Sequence, residues 1–257
     1  LSVKAKKHLG QHFLTDENIA RKIVEGLSFE NYTNIMEVGP GMGVLTKYLL
    51  EKDQNVYLAE IDNESIEYLK NNYSKITENT FVGDFLKQDF NFIKDEQIAI
   101  IGNFPYNISS QILFQIVDHY ELIPEMVGMF QKEVAERTAA VPRTKDYGIL
   151  SVLIQAYYDV SYLFTVHENV FNPPPKVKSG VIRLTRNPKV GLSGNETLFK
   201  QIVKAGFNQR RKKLSNALKT LNIPEALKTH EFLDKRAEEL SVSDFIAFTS
   251  LWKENQS

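Results

Sequence analysis

Cysteine is absent from the 257 residues, which excludes disulfides and cysteine-ligated metals. With no secretory segment evident, this fits a reducing cytoplasm. No uninterrupted apolar run approaches the roughly 18 residues that a membrane helix needs, so the expectation is a soluble protein, and a monomer. Internal repeats and low-complexity stretches are lacking too. Acidic residues are scarce in one region. Between Asn169 and Pro224, Glu196 is the sole acid against twelve bases, a net of +11 within a chain of formal charge −1, which leaves −12 for the remainder. Charge segregated this far points to a polyanion-binding face, against the plainer reading of a solvated basic helix.

What is present is organised around Ile35-Met36-Glu37-Val38-Gly39-Pro40-Gly41-Met42-Gly43. A short apolar strand runs into a glycine turn, and Val44-Leu45-Thr46-Lys47-Tyr48-Leu49-Leu50 then begins a helix with apolar residues at helical spacing. The glycines permit unusual backbone angles and close approach of a ligand, and a helix start offers free N–H groups. A dinucleotide fold would place a third glycine where Val44 stands, which disfavours a nicotinamide-dependent oxidoreductase. The Gly39-x-Gly41-x-Gly43 spacing, with Glu37 before it, looks like motif I of class I S-adenosylmethionine methyltransferases.

Residues 55–59 read as a second strand ending at Glu60, 17 residues past Gly43. Doubly wound nucleotide sites put a carboxylate there to accept the ribose hydroxyls. Asp62 competes with Glu60 for that role, but its position favours the cap of a helix over 64–73. A third strand over 80–83 ends at Asp84, which is either an acceptor for an adenine amino group or a turn residue after glycine. A fourth strand, 97–101, runs into Gly102-Asn103-Phe104-Pro105-Tyr106-Asn107, with Ser109 capping a helix over 111–119. Strands over 125–130, 160–165 and 181–185 and helices over 131–140 and 149–157 follow. The pattern is a doubly wound α/β domain over residues 1–186, a linker over 187–194 and a small all-helical domain to the end, closed by a helix over 244–252 capped by Ser243 or Ser241.

The Asn103-Phe104-Pro105-Tyr106 loop carries the most specific chemistry. An aryl-conjugated amine is a poor nucleophile because its lone pair is delocalised into the ring. Acceptors that take hydrogen bonds from its protons favour the pyramidal geometry that frees the pair. Asn103 supplies a side-chain carbonyl, Pro105 stiffens the loop so that the Phe104 carbonyl is a second acceptor, and Tyr106 can stack on the base. The expected reaction is amino methylation of a base, with no metal required because a sulfonium is itself a good leaving group. In Phe171-Asn172-Pro173-Pro174-Pro175-Lys176-Val177, the prolines either hold Phe171 out to stack on an extruded base or only rigidify a crossover over a buried Phe171. Lys4, Lys6 and Lys7 form a basic arm expected to be flexible, and Arg210-Arg211-Lys212-Lys213 lies between two apolar helical stripes; both are candidate RNA contacts.

Together these residues resemble the KsgA-type family of small-subunit ribosomal RNA adenine dimethyltransferases over nearly the whole chain. The resemblance is carried by Gly10-Gln11-His12-Phe13-Leu14, Glu37-Val38-Gly39-Pro40-Gly41, Asn103-Phe104-Pro105-Tyr106, Gln131-Lys132-Glu133-Val134-Ala135-Glu136-Arg137, the proline-rich Phe171 segment and Gln209-Arg210-Arg211-Lys212. It implies a Rossmann-like class I methyltransferase fold and dimethylation of two adjacent adenosines near the 3′ end of 16S rRNA, in a small ribosomal subunit or its precursor. It also implies S-adenosylmethionine contacts from His12, Leu14, Gly39, Glu60, Asp84 and Asn103, and an adenine held by Asn103, Phe104 and Tyr106 with Phe171 on its other face. The chain departs from the usual family residues at His12, Phe104 and Lys178. The rivals are an Erm-type dimethylase of 23S rRNA and a non-catalytic ribosome-assembly or transcription factor on the same fold, the latter opposed by intact Glu60, Asp84 and Asn103.

Overall fold

Strands that read as near-continuous apolar runs belong in a sheet buried on both faces. In the computed structural model, which describes residues 3–94, 96–188, 191, 192 and 194–256, three such runs become its centre. In chain order the elements are β1 (Phe13–Leu14), α1 (Glu17–Val24), β2 (Asn34–Val38), α2 (Thr46–Leu49), β3 (Asn55–Ala59), α3 (Asn63–Asn72), β4 (Ile98–Asn103), α4 (Ser109–Asp118), β5 (Glu125–Gln131), α5 (Lys132–Thr138), α6 (Ile149–Gln155), β6 (Tyr158–Val166), β7 (Phe171–Asn172), β8 (Ser179–Arg186), α7 (Glu196–Asn208), α8 (Leu214–Ala217) and α9 (Val242–Glu254). Every residue of β2 is buried, as are the first five of β4 and the first six of β5. No helix among the described residues is long and apolar enough to cross a membrane.

The chain divides into two units, one made of residues up to Ala135 with Val160–Arg186, the other of Glu136–Asp159 with the residues from Asn187 onward. The first holds the six-stranded sheet, in the order β3-β2-β4-β5-β8-β6. Strands β3, β2, β4 and β5 run parallel, with Ile35 opposite Val56 and Ala99, and Ile100 opposite Met126. Strand β8 joins β5 antiparallel, Met129 facing Val181. Helix α1 starts where Asp16 accepts from the Ile19 amide at 3.0 Å and buries Ala20, Ile23 and Val24.

Three local expectations are corrected. The strand over 80–83 is reduced to one bridge, Phe81 with Leu58. Gly83 turns away at φ +77° and the Gln88 side-chain Nε2 donates to the Val82 carbonyl at 2.5 Å, which ends the ladder. The helix after the glycine turn is only Thr46–Leu49, because turns centred on Gly41 (φ +54°) and Gly43 (φ +84°) occupy the preceding residues. Ser109 opens α4 from within; its hydroxyl donates back to the Tyr106 carbonyl at 3.0 Å instead of capping the helix.

Phe104 lies over the sheet, 1% exposed, with its ring 4.8 Å from that of Phe130. It occupies the space of a missing side chain: a Cβ on Gly128 would sit 2.0 Å from the Phe104 ring. Gly128→Ala is therefore expected to destabilise by about 1–3 kcal/mol through overpacking. Adding Phe104→Leu should recover part of that loss. Denaturant unfolding of the single and double variants checks this, and strictly additive losses would contradict it.

The second unit is helical. Helix α7 buries Phe199, Ile202, Val203, Gly206 and Phe207, while α9 buries Phe245, Phe248, Thr249 and Trp252 behind a capping box of Ser241 and Asp244. The expected single boundary at 186 is too simple, since residues 136–159 group with these helices. The reason is burial: Tyr147 donates to the Leu240 carbonyl at 3.0 Å and packs edge-on to Phe207, and α6 buries Val152, Leu153 and Ile154. Of the expected linker, Lys189, Val190 and Ser193 lie outside the described residues.

Candidate active site

A doubly wound sheet binds ligands beyond the C-terminal ends of its strands, where the winding reverses. Here the chain leaves β2 for β3 on one side and returns to β4 on the other, so the crevice lies beyond Val38 and Asn103. A cavity opens there, lined by Gly39 and Gly41, by Ala59-Glu60-Ile61, by Gly83-Asp84-Phe85, and by residues 103–108 and 9–13. Gly39 and Gly41 hold φ of +70° and +54°, angles that suit glycine. Tyr73, which no local pattern singled out, clamps the turn by donating to the Met42 and Gly43 carbonyls at 3.2 and 3.1 Å.

Glu60 is 6% exposed at the end of β3. Its carboxylate accepts from the amides of Ile61 at 2.8 Å, Asp62 at 2.9 Å and Gly41 at 3.3 Å. Burial pushes its pKa up, and these three backbone donors oppose that rise. Beside it Ile61 is 57% exposed and presents an apolar surface at the cavity. Asp84 accepts from the Leu86 amide at 3.0 Å and also lines the cavity, so its turn role and a binding role are compatible.

Asn103 ends β4 with its Nδ2 donating to the His12 carbonyl at 2.8 Å. That bond commits the nitrogen side of the amide and leaves Oδ1 as its acceptor. The Phe104 side chain is core, which leaves its main chain to face the cavity that the residue lines. The Tyr106 hydroxyl is anchored to Ser179 Oγ at 2.6 Å, and its ring lies 5.4 Å from that of His12. His12 in turn places Nδ1 2.8 Å from the Pro173 carbonyl.

Several sequence-derived candidates sit elsewhere. Phe171 is 4% exposed, packs in the cluster that contains Leu14 and Val181, and does not line the cavity. Pairing of β7 with β1, Leu14 opposite Phe171, turns it inward, so the base-stacking expectation gives way to the buried alternative. Leu14 is likewise core, which leaves only its main chain for a ligand. Lys6 is not a free RNA contact: Asp62 and Glu64 hold its ammonium at 2.5 and 3.1 Å, and the arm it belongs to is tied down. Arg210 is also committed, to Glu238 at 2.5 Å and to the carbonyls of Lys145 and Thr144 at 2.8 and 3.0 Å. Lys213 makes a solvent-exposed pair with Asp234. Lys4, Lys7, Arg211 and Lys212 are exposed. Arg143 and Lys145, missed in the sequence, are exposed on the loop that Arg210 holds.

Glu37 is 1% exposed, with the Thr46 hydroxyl 2.6 Å from Oε2. Burial, opposed by that bond and reinforced by the charge of Glu60, pushes its pKa up to about 8. At low pH folded and unfolded chains both carry this proton. As pH rises past the unfolded value of about 4.3 only the unfolded chain ionises, so stability falls by about 1.4 kcal/mol per pH unit until the folded group also titrates. Glu37→Gln should abolish this component. Between pH 5 and 8 wild type is expected to lose stability relative to the variant in denaturant melts; parallel profiles would contradict the assignment.

The family model described as ribosomal RNA adenine dimethylase matches residues 2–252. The chain is 57% identical over 248 residues to the ribosomal RNA small subunit methyltransferase A of Flavobacterium johnsoniae, covering 96% of this chain and 95% of that protein. The protein of the same name from Cytophaga hutchinsonii is 56% identical, with 97% of each covered. Among solved structures, a dimethyladenosine transferase from Plasmodium falciparum superposes with a TM-score of 0.83 at 25% identity, covering 95% of this chain and 98% of that one. The 23S rRNA methyltransferase ErmE reaches 0.68 at 23% identity, covering 93% and 99%, a likeness of fold.

Proposed function

The chain belongs to the ribosomal RNA adenine dimethylase family, and from that membership we propose that it transfers methyl groups from S-adenosylmethionine to the exocyclic amines of two adjacent adenosines near the 3′ end of 16S rRNA. It acts in the cytoplasm, as a monomer, on a small ribosomal subunit or its precursor. Relatives more than half identical in sequence are named for the small subunit, which favours this substrate over 23S rRNA.

The cavity fits the cofactor on its own chemistry. A buried carboxylate stands where a ribose diol needs an acceptor, Ile61 offers an apolar face to a base, and the left-handed Gly39 and Gly41 let the main chain come close. Glu60 would hold the ribose, Ile61 and Asp84 the adenine, and Gly39 with the residue 12–14 segment the methionine end. The chemistry supplied by bound S-adenosylmethionine is an electrophilic methyl on a sulfonium.

The observation that carries the reading is the Asn103 amide, turned by the His12 carbonyl so that Oδ1 is its acceptor. Oδ1 and the Phe104 carbonyl take the two amino protons of the target adenine and draw its nitrogen toward pyramidal geometry. The stabilisation grows as the nitrogen becomes the nucleophile. Tyr106, its ring fixed through Ser179, supplies the stacking face. After transfer the methylated nitrogen is acidic enough to release its proton to solvent. In the helical unit Arg211, Lys212, Arg143 and Lys145 engage phosphates.

The test is to incubate the protein with labelled S-adenosylmethionine and ribosomal subunits from cells lacking the enzyme. Label in small-subunit RNA is expected. Label in large-subunit RNA would transfer the assignment to the Erm-type reaction, and none in either would favour a non-catalytic assembly factor.

A further inference from the structure

The segment that turns Asn103 is itself held from a distance. Residues 9–13 line the cavity, and the His12 carbonyl receives the Asn103 amide. At one end this strap runs into β1, which pairs with β7. At the other it is fastened to Asp62, 3% exposed at the start of α3. Lys6 Nζ lies 2.5 Å from Asp62 Oδ1 and Gln11 Nε2 donates to Oδ2 at 3.2 Å. The Lys6 amide donates to Gln11 Oε1 at 2.8 Å, which closes the strap on itself. Between the anchors Gly10 is packed so tightly, at φ +67°, that a Cβ there would lie 2.6 Å from Asn107 Oδ1.

We infer that the Lys6–Gln11–Asp62 cluster is a latch that positions the reacting amide: it holds the strap against the cavity and, through the His12 carbonyl, sets the direction in which Asn103 presents its oxygen. The inference rests on the reading of Asn103 as the amine acceptor. Asp62, Lys6 and Gln11 are positioning residues. Burial acts to raise the Asp62 pKa, but the bonds from Lys6, Gln11 and the Glu64 amide outweigh it and hold the carboxyl below its ordinary value, while the Asp62 bond raises that of Lys6. Both partners are therefore ionised at neutral pH. A carbonyl displaced by even an ångström would no longer meet Nδ2, and misplacement on that scale costs as much as a hundredfold in rate.

Substitutions at Lys6 and Gln11 leave the α3 cap intact, since the Glu64 amide and Ser65 hydroxyl also bind Asp62. In single turnover from preformed complex, at saturating cofactor and subunits, Lys6→Ala and Gln11→Ala are expected to slow methyl transfer by about ten- to a hundredfold. Cofactor release should quicken, RNA affinity and its salt dependence should stay as in wild type, and Lys6→Arg should keep most of the rate. In an Asn103→Ala background the same substitutions should cost nothing further. A folded Lys6→Ala, Gln11→Ala double variant with the wild-type rate overturns the latch. So does a loss confined to RNA affinity with a shallower salt slope, which would make Lys6 a phosphate contact. If Asn103→Ala itself transfers at the wild-type rate, the amide reading fails instead, so the two failures are distinguishable.

Discussion

Asn103→Ala is expected to slow methyl transfer by a hundredfold or more while leaving RNA affinity near wild type. The side chain ends a buried parallel strand, so its Cα is fixed by the sheet: Asn103 stands opposite Met129 in β5. Its Nδ2 is spent on His12, and the oxygen that remains matters most as the attacking nitrogen pyramidalises. Removing one well-placed polar group at a reaction centre commonly costs on the order of a hundredfold to a thousandfold. Truncation also leaves the His12 carbonyl without its donor, so some loss of cofactor affinity accompanies it. The comparison therefore belongs in single turnover at saturating S-adenosylmethionine. A folded variant that binds both ligands and transfers within about threefold of wild type, far short of that loss, would reduce the loop to a structural turn.

Glu60→Ala should weaken cofactor binding by about 1.5–3 kcal/mol, the usual scale for a hydrogen-bonded charged partner. Two effects add. The ribose diol would lose the acceptor proposed for it, and the amides of Gly41, Ile61 and Asp62 lose theirs, which slackens the glycine turn from the far side of the cavity. Glu60→Gln should fall between wild type and alanine, because one oxygen survives while the new NH2 faces backbone donors. Calorimetric titration of folded protein reads the difference. Unchanged affinity in Glu60→Ala would remove this residue from the site.

Much of the scaffold was legible because it is written locally. The apolar runs, the glycine turn and the acid closing β3 each announce themselves within a few residues, and strand alternation with helices implies the winding that brings Val38, Glu60 and Asn103 to one crevice. What was not legible depends on partners far away in the chain. Lys6 reads as a free basic arm residue until Asp62, 56 residues on, is seen beside it. Arg210 looks like its neighbours Arg211 and Lys212, yet it braces the carbonyls of residues 144 and 145. Phe171 could face either way; only its register with Leu14 decides. Residues 136–159 carry ordinary helix and loop signals, and their membership of the helical unit comes from burial of Tyr147 and α6. Gly128 gives no sign of itself, because the ring that fills its place is that of Phe104, in the loop just past the end of the neighbouring strand β4.

The central claim is that this site methylates an amino nitrogen of adenosine, and nucleoside analysis tests it most directly. Small ribosomal subunits from cells lacking the enzyme would be reacted to completion with the wild-type protein and labelled S-adenosylmethionine, and their RNA extracted, digested to nucleosides and resolved by mass and fragmentation. The predicted result is label in two dimethylated adenosines, both methyls on the exocyclic nitrogen. Label on a ring nitrogen, a carbon or a ribose oxygen would contradict the account.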